Sequence, residues 1–194
     1  MGHGHHHHYL PEAPPKPWFP WLVPLIFLAN TALFVYTMYL NDCPNSSSPP
    51  VHCLFTHHLH RFSFEPLSQN PLLGPRVDAL RKMGALDTDL ILEKHQGWRL
   101  VSCIFLHAGL IHLLLNMFSL LVTGVRLERE FGFLRIGLVY VLSGFGGSLA
   151  SVMRMKGSAQ HQVSVGASGA LFGLLGSMLS ELLINWSIYT NKKK

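Results

Sequence analysis

Three polar side chains in apolar surroundings are the candidates for chemistry in this chain. Ser168 lies in a stretch of mostly small residues, 165–176, that begins a long apolar run. His112 and Asn116 lie in another apolar run, four residues apart, so a helix places both on one face. A serine hydroxyl can act as a nucleophile, and imidazole and amide N–H groups can stabilise an oxyanion. Burying polar side chains in a membrane costs free energy, so a structural or functional role is expected for each of these residues.

The alternative for Ser168 is structural. Gly169 and Gly173 have the spacing at which membrane helices pack closely, and a serine in such a helix can hydrogen-bond to its own backbone. A His–Asn pair on one face, opposite a helix of small residues, favours the functional interpretation. His107 is five residues before His112, which turns it about 140° round a helix. We therefore expect His107 at or before the helix start.

The composition indicates an integral membrane protein. Of 194 residues, 48% are hydrophobic and 13% are charged, which is about half the charge of an ordinary soluble domain. The net charge of +5 is not concentrated in a patch with interleaved aromatic residues, so no nucleic-acid partner is predicted. The three cysteines are too few for a disulfide scaffold or a zinc module. We expect no cofactor and no metal.

Four apolar runs predict an all-α, polytopic helix bundle that crosses the lipid bilayer. The spans are predicted at about 18–40, 106–124, 136–153 and 165–189. A His- and Pro-rich leader, residues 1–17, is predicted to be disordered and cytosolic. A charged hairpin is predicted at 126–135, between the second and third spans. A close-packing face on the third span is predicted from its small residues, which are Gly144, Gly146, Gly147 and Ser148.

Basic residues near the span ends favour cytosolic termini and a large lumenal loop, residues 41–105. In a lumenal loop Cys43 and Cys53 could pair. Asn45-Ser46-Ser47 matches a glycosylation sequon, which is a weak signal alone. The loop also holds histidines that we interpret as surface residues rather than a metal site: His52, His57, His58 and His60.

Together these motifs resemble the rhomboid family of intramembrane serine proteases. The residues that carry the resemblance are Gly166-Ala167-Ser168-Gly169, His107-x4-His112-x3-Asn116, Trp98-Arg99 and Glu128 to Gly132. Glu130 fills a position where family members often carry arginine. The sequence from Phe19 to the fourth span is similar to plant secretory-pathway members, so the resemblance covers most of residues 18–191.

The resemblance implies a core of six helices and a Ser–His dyad whose histidine lies on the sixth helix. It implies that Ser168 is the nucleophile and that His112 and Asn116 stabilise the oxyanion. The implied substrates are transmembrane proteins with one span whose helix unwinds easily. The implied location is the secretory pathway, in the Golgi, another endomembrane or the plasma membrane.

The sequence departs from the family pattern after Ser168, where no histidine follows. The general-base histidine is therefore absent, and four of the six core helices are present. His161, seven residues before Ser168, is a weak substitute. We expect residues 18–191 to be an incomplete rhomboid-like membrane domain, truncated after the fourth helix and inactive or nearly so alone, with other membrane helices completing the bundle. The alternative is a non-catalytic rhomboid-like protein that binds transmembrane clients or partners.

Overall fold

The structure, a computed structural model, describes residues 19–46, 52–156 and 163–186. Several predictions fall outside these residues and are not addressed by it. They concern the leader 1–17, Ser47 of the sequon, His161, and the last residues of the fourth predicted span.

Four long apolar helices form the bundle, which confirms the predicted all-α membrane fold. They are α1 (Leu22–Asn41), a continuous second helix (Leu110–Phe131), α9 (Phe133–Lys156) and α10 (Ser168–Ile184). Among the described residues, the first three are long and apolar enough to cross a membrane, and α10 is an apolar helix of 17 residues. Their shared core is fully buried and includes Val23, Leu120, Tyr140 and Leu174.

The second helix has three parts: α7 (Leu110–Ser119), a π-helical turn (Leu120–Gly124) and α8 (Val125–Phe131). The remaining elements are short. They are α2 (Cys43–Ser46), α3 (Thr56–Leu59), a 3-10 turn (His60–Phe62), α4 (Val77–Met83), β1 (Leu86–Asp87), α5 (Thr88–Leu92), α6 (Arg99–Ser102), a second 3-10 turn (Cys103–Phe105) and β2 (Val163–Ser164).

The predicted charged hairpin at 126–135 is wrong. The charged residues at its start continue the second helix through α8, and the turn consists of Gly132 alone, with φ of 81°. Glu128 is fully buried rather than solvated, and its carboxylate accepts N–H groups at the start of α1. The mixed charges of this stretch gave no sign that Glu128 is buried while several of its charged neighbours are exposed.

Small residues bring α9 and α10 into backbone contact. The sequence predicted a close-packing face on each helix, but not that these two faces pack against each other. A Cβ added to Gly169 would lie 3.3 Å from the Cα of Gly147. One added to Gly173 would lie 2.0 Å from the hydroxyl of Ser143, so Gly173 has no room for a side chain unless Ser143 moves, and Gly169 has little. Gly146 differs from the prediction, because a Cβ there would meet nothing within 4 Å and the residue does not belong to the packing face.

The segment 41–105 folds over one end of the bundle and is held there by long-range polar contacts. Cys43 and Cys53 form a disulfide, as the sequence allowed. The side chain of Asn41, at the end of α1, donates to buried Glu65 at 2.8 Å and accepts from the Arg76 N–H at 2.9 Å. The segment is therefore a folded cap on the bundle and not an open loop.

Candidate active site

Ser168 is the first residue of α10, and its side chain is exposed. No hydrogen bond of its hydroxyl is found within the described part of the chain, and at the first residue of a helix there is no preceding turn to accept one. The hydroxyl opens into a cavity of about 150 Å³ between α9 and α10. We call this the serine cavity. Three larger apolar residues line it: Leu86, Val165 and Phe172. The rest of its lining consists of small or polar residues: Cys103, Gly144, Gly147, Ser148, Ser151, Ser164, Gly166, Ser168 and Gly169.

The backbone that leads into Ser168 is fixed by the cap. β2 pairs with β1 in an antiparallel ladder, with Leu86 opposite Ser164. Two residues later the N–H of Gly166 donates to the carbonyl of Cys103 at 2.9 Å. Gly166 has φ of +126°, a conformation that glycine adopts readily and other residues rarely do. These contacts turn the chain from an extended strand into the start of α10 within a few residues.

His112 and Asn116 lie together on α7 and face this turn, as their spacing predicted. A Cβ placed on Gly166 would lie 2.8 Å from His112 Nε2 and 3.7 Å from Asn116 Nδ2. Both side chains therefore point at the backbone two residues before Ser168. The glycine is needed at this position because any side chain would occupy the space next to the imidazole.

The hydrogen bonding of His112 determines which ring nitrogen carries the proton. The backbone N–H of Ala108 donates to His112 Nδ1 at 3.4 Å. A neutral imidazole that accepts at Nδ1 carries its proton on Nε2. Nε2–H is therefore available as a donor on the side facing Gly166.

The Asn116 side chain provides a second donor. Its Nδ2 is buried and has no hydrogen-bond partner among the described residues. A buried amide N–H without a partner costs free energy unless a ligand or water accepts it. The side chains of His112 and Asn116 thus lie together beside the serine turn, at Gly166. Imidazole and amide N–H groups are donors of the kind that an oxyanion requires.

The start of α7 is positioned by a loop of the cap. The N–H of Leu110 donates to the carbonyl of Leu73 at 2.8 Å, and the N–H of Ile111 donates to Leu72. Asn70 donates to the carbonyl of Ala108 at 2.8 Å. Because Ala108 in turn donates to His112, the cap fixes both the helix start and the imidazole.

His107 precedes α7, as expected, and plays a different part from His112. Its ring is buried and makes an edge-on contact with the His112 ring, with centroids 5.3 Å apart. Burial, with a smaller effect from neighbouring His112, lowers the pKa of His107 to about 3. The ring is therefore neutral at physiological pH and supports His112 by packing.

The described residues do not place a general base beside Ser168. Within the described lining of the serine cavity, the one titratable side chain is the thiol of Cys103. His161 lies outside the described residues, and the sequence after Ser168 contains no histidine. No group of three or more potential metal-ligating side chains converges in the part of the chain that the structure describes.

Three supporting contacts were not foreseen from the sequence: the Cys103 carbonyl, the Ala108 N–H and the β1–β2 ladder. Backbone groups leave no residue-type signal, and a two-residue strand is too short to show alternation. The positive φ of Gly166 is the exception, since a glycine directly before Ala-Ser-Gly could have signalled a special backbone conformation.

Comparison with known proteins identifies the family of the chain. The family model described as the rhomboid domain matches residues 94–193. RHOMBOID-like protein 1 of Arabidopsis thaliana is 58% identical over 92% of this chain and 44% of its own length. RHOMBOID-like protein 5 is 56% identical over 95% of this chain and 58% of its own length. Inactive RHOMBOID-like protein 8 is 42% identical over 89% of this chain and 47% of its own length.

These three relatives are all from Arabidopsis thaliana, and the chain spans about half of their length. The residues matched by the family model include His112, Asn116 and Ser168. The chain belongs to the rhomboid family.

Proposed function

We propose that this chain carries the nucleophile and the oxyanion site of an intramembrane serine endopeptidase. The observation that supports this most directly is the approach of His112 and Asn116 to Gly166, two residues before Ser168. A packing serine would not require a half-buried imidazole and a buried amide beside its backbone. The free N–H groups at the start of α10 add positive potential at the same place.

In this mechanism Ser168 Oγ attacks the carbonyl carbon of the scissile peptide bond. The carbonyl oxygen becomes an oxyanion and accepts hydrogen bonds from His112 Nε2–H and Asn116 Nδ2–H. The proton leaves Ser168 for a base and then passes to the leaving amine, giving an acyl-enzyme that water hydrolyses. A serine hydroxyl needs an adjacent base to act, and we assign this role to a histidine contributed by a further membrane helix.

The substrates are proposed to be proteins with one membrane span. Ser168 lies at the end of the bundle that the cap covers, so the scissile bond would enter near that membrane surface. The peptide must leave its helix to reach an exposed hydroxyl at the start of α10, which favours spans that unwind easily. The Cys43–Cys53 disulfide supports an oxidising, lumenal environment for the cap, and hence a place in the secretory pathway.

The test is a cleavage assay in membranes on a fluorescent spanning-helix substrate. It compares this chain with a fusion that adds the segment following the matched region in RHOMBOID-like protein 1 of Arabidopsis thaliana. We expect the fusion to cleave and Ser168→Ala in the fusion to abolish cleavage. Asn116→Ala should lower the rate by about 10²- to 10³-fold, the usual cost of losing one oxyanion donor.

Labelling of Ser168 by a fluorophosphonate is a second readout that requires no substrate. The chain alone is expected to label at the level of its Ser168→Ala variant. Ser168-dependent cleavage by the chain alone would show that the base lies within these residues, and His112 and His161 would be tested next. Cleavage by the fusion that persists in Ser168→Ala would contradict the assignment of the nucleophile.

A non-catalytic function is the second candidate, and one observation favours it: the described serine cavity contains no imidazole or carboxylate. In this case the chain binds transmembrane helices of clients or partners without cutting them. A folded fusion that neither cleaves nor reacts with fluorophosphonate, yet co-purifies with single-span proteins, would select this function.

A further inference from the structure

A second cavity lies at the opposite end of the bundle from the serine cavity. Near their glycine contacts α9 and α10 touch, at Gly147–Gly169 and Ser143–Gly173. Beyond these contacts an open groove of about 410 Å³ lies between the two helices. We call it the interhelical slot. Its volume lies within the roughly 300–1,000 Å³ range of small-molecule sites.

The slot walls are mainly apolar along their length. The apolar lining residues are Ile136 and Val139 of α9 and Ile184 of α10. The hydroxyl of Ser177, which also lines the slot, donates a hydrogen bond to the carbonyl of Gly173 at 3.0 Å. The slot ends where the glycine contacts bring α9 and α10 together. An extended hydrocarbon chain has the shape that such a space accommodates.

Two charged side chains, those of Glu181 and Arg135, line the slot, and one of them is in an ion pair. Glu181 pairs with Arg126 of α8 at 3.3 Å, so its charge is compensated. Arg135 lines the slot, is exposed, and has no ion-pair partner among the described residues. A planar guanidinium is well suited to bind a phosphate through two parallel hydrogen bonds.

The position of Arg135 is that of a membrane–water interface. Trp21 and Trp186 are exposed at the same end of the bundle, and exposed tryptophans mark that boundary. Trp21 also contacts Phe133, two residues before Arg135, with ring centroids 5.0 Å apart. The cation therefore lies at the level of lipid headgroups, and the apolar slot extends from it towards the hydrocarbon region.

We infer that the interhelical slot binds one anionic glycerophospholipid, with an acyl chain between α9 and α10 and the phosphate on Arg135. The apolar walls take the chain, and the charge complementarity of Arg135 selects the headgroup. Phosphatidylcholine binds less well, because its own ammonium competes for the phosphate. The site is distinct from the serine cavity and does not depend on catalysis.

The test is photo-crosslinking of the purified full chain in vesicles. The probes are phosphatidylglycerol and phosphatidylcholine, each with a diazirine in one acyl chain, and the crosslinked peptides are identified by mass spectrometry. We expect phosphatidylglycerol to label the slot walls of α9 and α10 about fivefold more than phosphatidylcholine, which is the effect of one cation near an anionic surface.

Two variants with matched controls test the two parts of the site. Arg135→Gln should remove the headgroup preference, whereas Arg154→Gln, at the other end of α9, should keep it. Ser177→Phe should fill the slot and remove crosslinking. Gly176→Phe is its control, since a Cβ at Gly176 meets nothing within 4 Å and Gly176 does not line the slot.

The inference is overturned if phosphatidylcholine labels the slot equally, or if labelling maps to other surfaces of the bundle. It is also overturned if Arg154→Gln lowers the preference as much as Arg135→Gln. Crosslinking of the slot to a polypeptide in place of lipid would identify a protein occupant instead. Arg135→Gln changes an exposed residue, so its result stands even if the Ser177→Phe variant fails to fold.

Discussion

The carboxylate of Glu128 accepts the backbone N–H of Val23 at 2.8 Å, across 105 residues of sequence. The same carboxylate accepts the N–H groups of Trp21 and Leu22 at 3.0 and 2.8 Å. α1 has no side-chain cap of its own, so a residue on α8 supplies it. Negative charge at a helix N-terminus is favourable, and three N–H bonds compensate the burial of the carboxylate.

Replacing Glu128 should therefore destabilise the bundle more than its place in a charged stretch suggests. Glu128→Ala leaves three N–H groups at the start of α1 without an acceptor, and we expect a loss of about 3 kcal/mol in unfolding free energy. The measurement is unfolding in mixed micelles, followed by circular dichroism. Glu130→Ala is the matched control, because Glu130 is exposed and its ion pair among the described residues is with Arg126 at 3.4 Å, a contact worth less than about 1 kcal/mol. Equal losses in the two variants would contradict the capping role.

Gly166→Ala should disable the candidate site while leaving the bundle folded. The new Cβ would lie 2.6 Å from the His112 ring at a φ of +126°, so the imidazole or the serine turn must move. In the fusion described above we expect at least a 10²-fold loss of cleavage, since misplacement of this order removes an oxyanion donor. Gly176→Ala, with open space at its Cβ, should retain the rate. Full activity of Gly166→Ala would show that the approach of His112 to Gly166 does not matter.

Local spacing was enough to predict the part of the site that lies on one helix. His112 and Asn116 share a face because they are four residues apart. His107, five residues from His112, was expected on another face or before the helix, and α7 begins after it, at Leu110. The spacing of Gly169 and Gly173 predicted a close-packing face for the same reason, although it did not identify α9 as the partner. In each case the residues concerned lie within a few helical turns of each other, so their relative positions follow from helix geometry alone.

Contacts between distant segments could not be predicted in this way. Glu128 resembles its solvated neighbours in sequence, and only the position of α1 makes it buried. The cap of residues 41–105 is held by Asn41, Glu65 and backbone groups, whose partners lie tens of residues away. The fold of this cap determines where Ala108 and the β1–β2 ladder lie, and therefore the orientation of His112 and the serine turn.

Because Gly173 contacts Ser143, a substitution at Ser143 should restore the stability that is lost on replacing Gly173. A Cβ on residue 173 would lie 2.0 Å from the Ser143 hydroxyl and 2.3 Å from its Cβ, so Gly173→Ala should destabilise the α9–α10 contact by about 1–3 kcal/mol. Ser143→Gly removes both atoms, and the double variant should recover most of that loss. Unfolding free energies of the two single variants and the double variant form a mutant cycle. Additive losses, with no recovery, would mean that the helices separate instead of clashing.

The buried thiol of Cys103 predicts a pH dependence of stability. Burial raises the pKa of this thiol above its ordinary value of 9.0, and the hydrogen bond with Ser148 opposes this in part. The folded protein then holds the thiol proton more firmly than the unfolded chain does, so its stability falls as the pH rises through and above the ordinary thiol value. Cys103→Ser should reduce this dependence, because serine does not titrate in that range and can still bond to Ser148. The measurement compares unfolding midpoints of the two proteins at pH 7 and at pH 10, with the Cys43–Cys53 disulfide intact in both. The same decrease in both proteins would show that Cys103 contributes nothing to it.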